Sequence, residues 1–144
     1  MTSMPPVVTM PECGTAGLTA SISIGNGTAG SIYYNLVFTN VSGASCFMQG
    51  FPGVIAANMS GDLGDSAVRT GAAGARVTLA PHGKAVAILR YAEAATTTMG
   101  CGITAAADLS IIPPDQGSAI AVPFVNQVCG SASVSVLFIQ ALTG

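Results

Sequence analysis

The sequence predicts an all-β domain, a sandwich of about eight antiparallel strands stapled by two disulfides. Apolar residues alternate with period two along most of the chain. Gly, Pro and Asn clusters interrupt that alternation at the spacing of a sandwich. The four cysteines stand at the open ends of candidate hairpins. A length of 144 residues suits one domain around one core.

The elements follow in order. Leu18, Ala20, Ile22 and Ile24 alternate with Thr19, Ser21 and Ser23 in the first strand, and Ile32, Tyr34, Leu36 and Phe38 form the apolar face of the second. Residues 54–58 and 76–79 read as short strands. Over 85–92, Val86, Ile88 and Arg90 oppose Ala87, Leu89 and Tyr91. Residues 103–112, 120–125 and 134–139 complete the set. Ala-rich pieces at 92–95 and 105–107 favour helix by propensity but are too short to hold one. Residues 59–75, with Asp62, Asp65, Arg69 and several glycines, read as a long loop, and loops of that length usually carry function. Residues 1–12, rich in Pro, Thr and Ser, read as a flexible tether, and 13–144 as the single domain.

Half of the residues are hydrophobic and only 7% are charged, against roughly a quarter in ordinary globular chains. The surface is therefore built from Ser, Thr, Gly, Asn and small apolar groups. The net charge is -2, and the only cations, Arg69, Arg76, Lys84 and Arg90, are not adjacent. Nucleic acid and anionic lipid both require clustered cations, so both are excluded as electrostatic partners. Gly, Ser, Asn and Pro break every apolar run short of the ~18–20 residues that a spanning helix needs. The N-terminus lacks the basic and apolar regions of a signal peptide; because the four cysteines point to an oxidising compartment, an export signal, and with it any lipid anchor, is expected to have been removed.

Cys13 and Cys46 lie almost symmetrically about the turn at 25–31, and Cys101 and Cys129 symmetrically about Asp115 in the turn at 113–118. The expected pairs are therefore Cys13–Cys46 and Cys101–Cys129, each across the mouth of a hairpin where Cβ atoms approach closely. Each closes a loop of about thirty residues, worth roughly 3–4 kcal/mol in the loop-entropy account. Structural zinc would show close cysteine pairs, and none occurs. Disulfides persist in oxidising compartments, which places the protein outside the cytoplasm.

Other motifs have ordinary readings. Residues 25–30 spell G-x-G-x-x-G after a strand, but the following residues alternate as a strand, and no acidic residue follows at the spacing a dinucleotide site requires. Asn26-Gly27 reads as a hairpin turn instead. His82, the only histidine, sits between Pro81 and Gly83 in a turn, with no nucleophile elbow in the chain. The six methionines show no spacing suited to copper. Asp62 and Asp65 are too few ligands for a calcium site. Asn26, Asn40 and Asn58 each begin a glycosylation sequon. No cofactor, metal or catalytic residue is expected.

Three stretches together carry a family resemblance: Leu36-Val-Phe-Thr-Asn-Val-Ser with Cys46-Phe-Met-Gln-Gly-Phe-Pro-Gly-Val, then Leu79-Ala-Pro-His-Gly-Lys-Ala-Val-Ala-Ile-Leu-Arg-Tyr, then Cys101 with Leu109-Ser-Ile-Ile-Pro-Pro and Cys129. The chain resembles the actinobacterial cell-envelope family known as domain of unknown function 4232. It departs from the family pattern at His82, where a small residue or Gly is common, and at Tyr91, where Trp is usual. The resemblance implies an exported or lipid-anchored protein with an immunoglobulin-like sandwich, and it brings no catalytic residues. The expected function is a non-catalytic envelope domain that binds a protein, a glycan or a lipid, with Asp62, Asp65 and Arg69 as candidate contacts. The alternatives are a self-assembling envelope protein and a hydrolase using His82.

Overall fold

The computed structural model describes residues 10–28, 30–92, 101–131 and 135–144. Most of the expected tether, the Ala-rich piece beyond Ala92 and the start of the strand expected at 134 lie outside the described residues. Among the described residues the chain is all-β. Its strands are β1 (Leu18–Thr28), β2 (Ser31–Asn40), β3 (Cys46–Met48), β4 (Gly53–Asn58), β5 (Gly61–Leu63), β6 (Val68–Arg69), β7 (Val77–Leu79), β8 (Lys84–Tyr91), β9 (Ile103–Ile112), β10 (Ile120–Cys129) and β11 (Leu137–Ile139).

One sheet has the order β1-β2-β8-β11-β6, a second β10-β9-β4-β5, and β3 pairs with β7. The orders β1-β2-β8 and β10-β9-β4-β5 correspond to A-B-E and G-F-C-C′ of an immunoglobulin-type sandwich. Beside β8, where strand D would lie, the C-terminal β11 pairs instead, and β6 adds to β11 in parallel.

Alternation dictates what goes inside. Along β2, Tyr34, Leu36, Phe38 and Asn40 are buried, and along β8, Ala85, Ala87, Leu89 and Tyr91. They meet Val54 and Ala56 of β4, Leu109 and Ile111 of β9 and Val122, Phe124 and Val128 of β10 in one core. Each large side chain fully buried there contributes about 1.5–3 kcal/mol. Phe124 fills the centre, with Tyr34 and Tyr91 edge-on to it at 5.7 and 5.4 Å. The Tyr91 hydroxyl donates to the Gln127 carbonyl, which joins the two sheets.

The disulfides are Cys13–Cys46 and Cys101–Cys129. The second closes the β9–β10 hairpin at its mouth, and the ladder runs on through Gly130 N–H to Gly102 O and Ser131 N–H to Cys101 O. The first does not span the mouth of β1–β2. Residues 11–13 turn away from that hairpin and run parallel to β3, where Cys13 N–H donates to Phe47 O and Phe47 N–H to Pro11 O.

Two other expectations are corrected. Residues 59–75 are not one structureless loop. β5 extends the edge of the second sheet, Ala67 N–H donates to Val54 O, and β6 then joins the first sheet, so the segment crosses between the sheets. Asn26-Gly27 is not the hairpin turn. The register pairs Thr28 with Ser31, so the chain reverses between those two residues, with Gly30 at φ 78°. Residues 25–27 continue β1 through a bulge between Ile24 and Gly27, the device by which an unpaired residue bends a strand.

Candidate ligand-binding groove

The sequence-predicted contacts do not converge. Asp62 lies on β5 opposite Ala57, in a row that continues to Asp108 on β9. The backbones of Asp62 and Asp108 stand two strands apart, roughly 9.5 Å. Asp65 accepts a hydrogen bond from Ser66 N–H at 2.8 Å, and the Arg69 guanidinium lies 5.6 Å from the Phe51 ring centroid. No group of three His, Cys, Asp or Glu able to hold a metal occurs among the described residues.

His82 is exposed and has φ 69°. It occupies the third position of a turn in which Pro81 is second and Gly83 N–H donates to Ala80 O at 2.7 Å. That position requires a left-handed backbone, and Pro at the second position favours the turn. The imidazole makes no hydrogen bond among the described residues. Asp115, at φ 62°, takes the same place in the turn from Pro113 to Gln116.

The turn at His82 is tied to a buried asparagine. Asn40 has no exposed surface. Its Nδ2 donates to Ala44 O at 2.9 Å and to Leu79 O at 3.0 Å, while its Oδ1 accepts from Ser42 N–H at 2.9 Å and Ser42 Oγ at 2.6 Å. Its own backbone exchanges hydrogen bonds with His82 N–H and Gly83 O. Two of the family-like stretches thus meet at one side chain, whose carboxamide is wholly used. The sequon at Asn40 is consequently unavailable in the folded chain. Asn58 is engaged as well, with Ala105 O and Ser60 N–H, whereas Asn26 is exposed.

The outer face of the β1-β2-β8 sheet is built differently. β1 presents Ser21 and Ser23, but β2 presents Tyr33, Asn35 and Val37, and β8 presents Val86, Ile88 and Arg90. Register places Tyr33 beside Arg90, and Ser23, Asn35 and Ile88 in one row. Gly25, with no side chain at the bulge, leaves a groove of about 420 Å³ lined by Gly25, Asn26, Tyr33, Asn35 and Ile88. The side chains of Asn26, Tyr33 and Asn35 make no hydrogen bond among the described residues. The groove is bordered by Arg90, whose guanidinium stacks 4.0 Å from the Phe138 ring centroid and donates to Ser31 Oγ at 3.2 Å.

Sequence reasoning passed over this groove. The signal was present in β8, whose outward face carries Val86 and Ile88 between Lys84 and Arg90, where a half-solvated strand shows polar residues throughout. All three arginines lie near a phenylalanine ring, Arg76 on Phe47 and Arg69 on Phe51 besides Arg90, so three of the four cations rest against an aromatic side chain. Away from the groove, Glu12 has its carboxyl raised above the usual glutamate value, first by partial burial, then by a hydrogen bond with Asp115 and that group's negative charge, while Arg76 opposes the shift.

No curated protein and no solved structure is significantly similar to the chain. A family model described as Domain of unknown function matches residues 13–141, from the first cysteine to the end of the core. The chain therefore belongs to that family, DUF4232.

Proposed function

We propose that this domain is a non-catalytic binding module that works outside the cytoplasm, at the cell envelope, and engages its partner through the outer face of the β1-β2-β8 sheet. The observation that carries this reading is the groove at Gly25, where three polar side chains, without a hydrogen-bond partner among the described residues, converge on an apolar floor. Polar groups left without partners on a rigid sheet cost little while water serves them, and they select a ligand that replaces that water. Two disulfides support the oxidising compartment. The hydrolase reading has no comparable support, since His82 stands at an exposed turn with its imidazole unengaged.

The test is co-sedimentation with the native cell-envelope fraction. A Cβ at Gly25 would meet Asn35 Nδ2 at 3.4 Å and Tyr33 O at 3.5 Å, ordinary contact distances. A Cβ is thus accommodated there, and Gly25→Val adds two γ-methyls beyond it to obstruct the groove. Wild type is expected to sediment with the envelope and Gly25→Val to stay in solution with an unchanged melting transition. Equal sedimentation of the two proteins would remove the groove from the account.

Self-assembly has one observation in its favour. β1 is the edge of its sheet, carries neither charge nor proline, and exposes Ile24 by 71%, the features that leave an edge open to pairing. An elution volume in size exclusion that shifts with protein concentration, and stops shifting in Ile24→Lys, would favour it over a monomeric binder.

A further inference from the structure

We infer that the groove takes a neutral saccharide, an inference that rests on the groove being the binding surface proposed above. Among the described residues the lining is a phenol ring (Tyr33), two carboxamides (Asn26, Asn35), the aliphatic Ile88 and the bare backbone of Gly25, with no charged group. A sugar ring has one C–H face that packs on an aromatic ring or an aliphatic side chain, and an equatorial rim of hydroxyls that both donate and accept. Carboxamides match that rim because each offers donors and an acceptor on one planar group. Tyr33 adds a rigid amphipathic surface with little conformational entropy to lose. A volume of about 420 Å³ lies at the lower end of small-ligand sites, which run roughly 300–1,000 Å³, and accommodates one or two sugar rings.

Other ligand chemistries fit this lining less well. An extended peptide docks by adding to a strand edge, which β1 offers on the side away from β2, whereas the groove opens on the face of the sheet over β2 and β8. An acyl chain would cover Asn26 and Asn35 without supplying hydrogen bonds, a loss that polar groups resist. An anionic ligand needs a cation free to meet it, and Arg90 is already stacked on Phe138 and bonded to Ser31.

The test uses the whole chain and defined probes followed by NMR. Chitotetraose, cellotetraose and maltotetraose are added separately at millimolar concentration, with a heparin tetrasaccharide and dodecylphosphocholine as the anionic and lipid-like comparators. At least one neutral tetrasaccharide is expected to move the Tyr33 ring, Asn35 carboxamide and Ile88 methyl signals. Tyr33→Ala is expected to weaken that binding about tenfold or more, and Asp62→Ala, on the opposite sheet, to leave it unchanged. Groove shifts with heparin or dodecylphosphocholine alone would overturn the ligand class. So would silence from every probe while Gly25→Val still releases the protein from the envelope, and in both cases the groove itself would stand. Silence together with unaltered envelope binding of Gly25→Val would remove ligand class and groove alike.

Discussion

Asn35 and Asn40 lie on the same strand, and they are used in opposite ways. Asn40 faces inward at the end of β2, is fully buried, and spends its carboxamide on Ala44, Leu79 and Ser42. Asn35 faces outward in the middle of β2, half exposed, and makes no side-chain hydrogen bond among the described residues. A buried amide must find its partners within the fold, because leaving it unpaired costs about 1–3 kcal/mol. An exposed amide has no such obligation. The first therefore records a requirement of the fold, and the second is free to meet a ligand.

The largest expected effect is at Asn40. Asn40→Ala removes the side-chain hydrogen bonds and leaves the Leu79 carbonyl and Ser42 N–H to find new partners, so a loss of about 3 kcal/mol is expected in urea unfolding. That corresponds to a fall of roughly 10 °C in melting temperature for a domain of this size. A loss below about 1 kcal/mol would mean that the knot is not what holds β2 to the turn at His82.

The turn itself sharpens the contrast. His82 holds a left-handed backbone at φ 69°, which costs a residue with a Cβ roughly 1–2 kcal/mol, part of which glycine returns through its greater freedom when unfolded. His82→Gly should therefore stabilise by about 0.5–1 kcal/mol. Gly83 is the opposite case, since a Cβ there would stand 2.8 Å from Ala80 O. Destabilisation on His82→Gly would show that the imidazole has a structural role that its hydrogen bonds do not reveal.

Glu12 and Asp115 face one another with Arg76 close by. With the Glu12 value raised in the folded chain, the folded state holds a proton that the unfolded state has already released. The contribution to stability is complete below the unfolded glutamate value and is lost as pH rises through the folded one. Glu12→Gln should consequently be at least as stable as wild type at neutral pH. Its advantage should shrink as pH falls through the range in which Glu12 takes up its proton. A variant less stable than wild type at neutral pH would indicate that attraction to Arg76 outweighs the repulsion from Asp115. The smallest effect belongs to Asn35→Ala, expected to change stability by no more than about 0.5 kcal/mol, with any larger loss showing that the groove is part of the scaffold.

The same contrast explains what could be read from the sequence. β1, β2, β8 and β9 were legible because each buries one face, so alternation is imposed residue by residue. β3, β5 and β6 were not. Each has only two or three residues; β3 and β6 exist because a distant strand stands beside them, β7 and β11 respectively, and β5 is the short return of a tight hairpin with β4. Symmetry about a turn named the right pair in Cys13–Cys46 but the wrong geometry, since residues 11–13 run parallel along β3, a tertiary feature, and the bond does not close the β1–β2 hairpin. Asn26-Gly27 misled because its local preference for a turn yields to the bulge in β1. Asp62, Asp65 and Arg69 stood out only because charge is scarce, and scarcity says nothing of convergence. The groove needed the register of β1, β2 and β8 to bring Gly25, Tyr33, Asn35 and Ile88 together.

Side-chain amide exchange measured by NMR tests the central distinction most directly. The account predicts that the Asn40 carboxamide protons exchange slowly in the free protein, while those of Asn35 exchange at the rate of an exposed amide until a ligand fills the groove. An Asn35 carboxamide already protected without ligand, or an Asn40 carboxamide that is not protected, would contradict it.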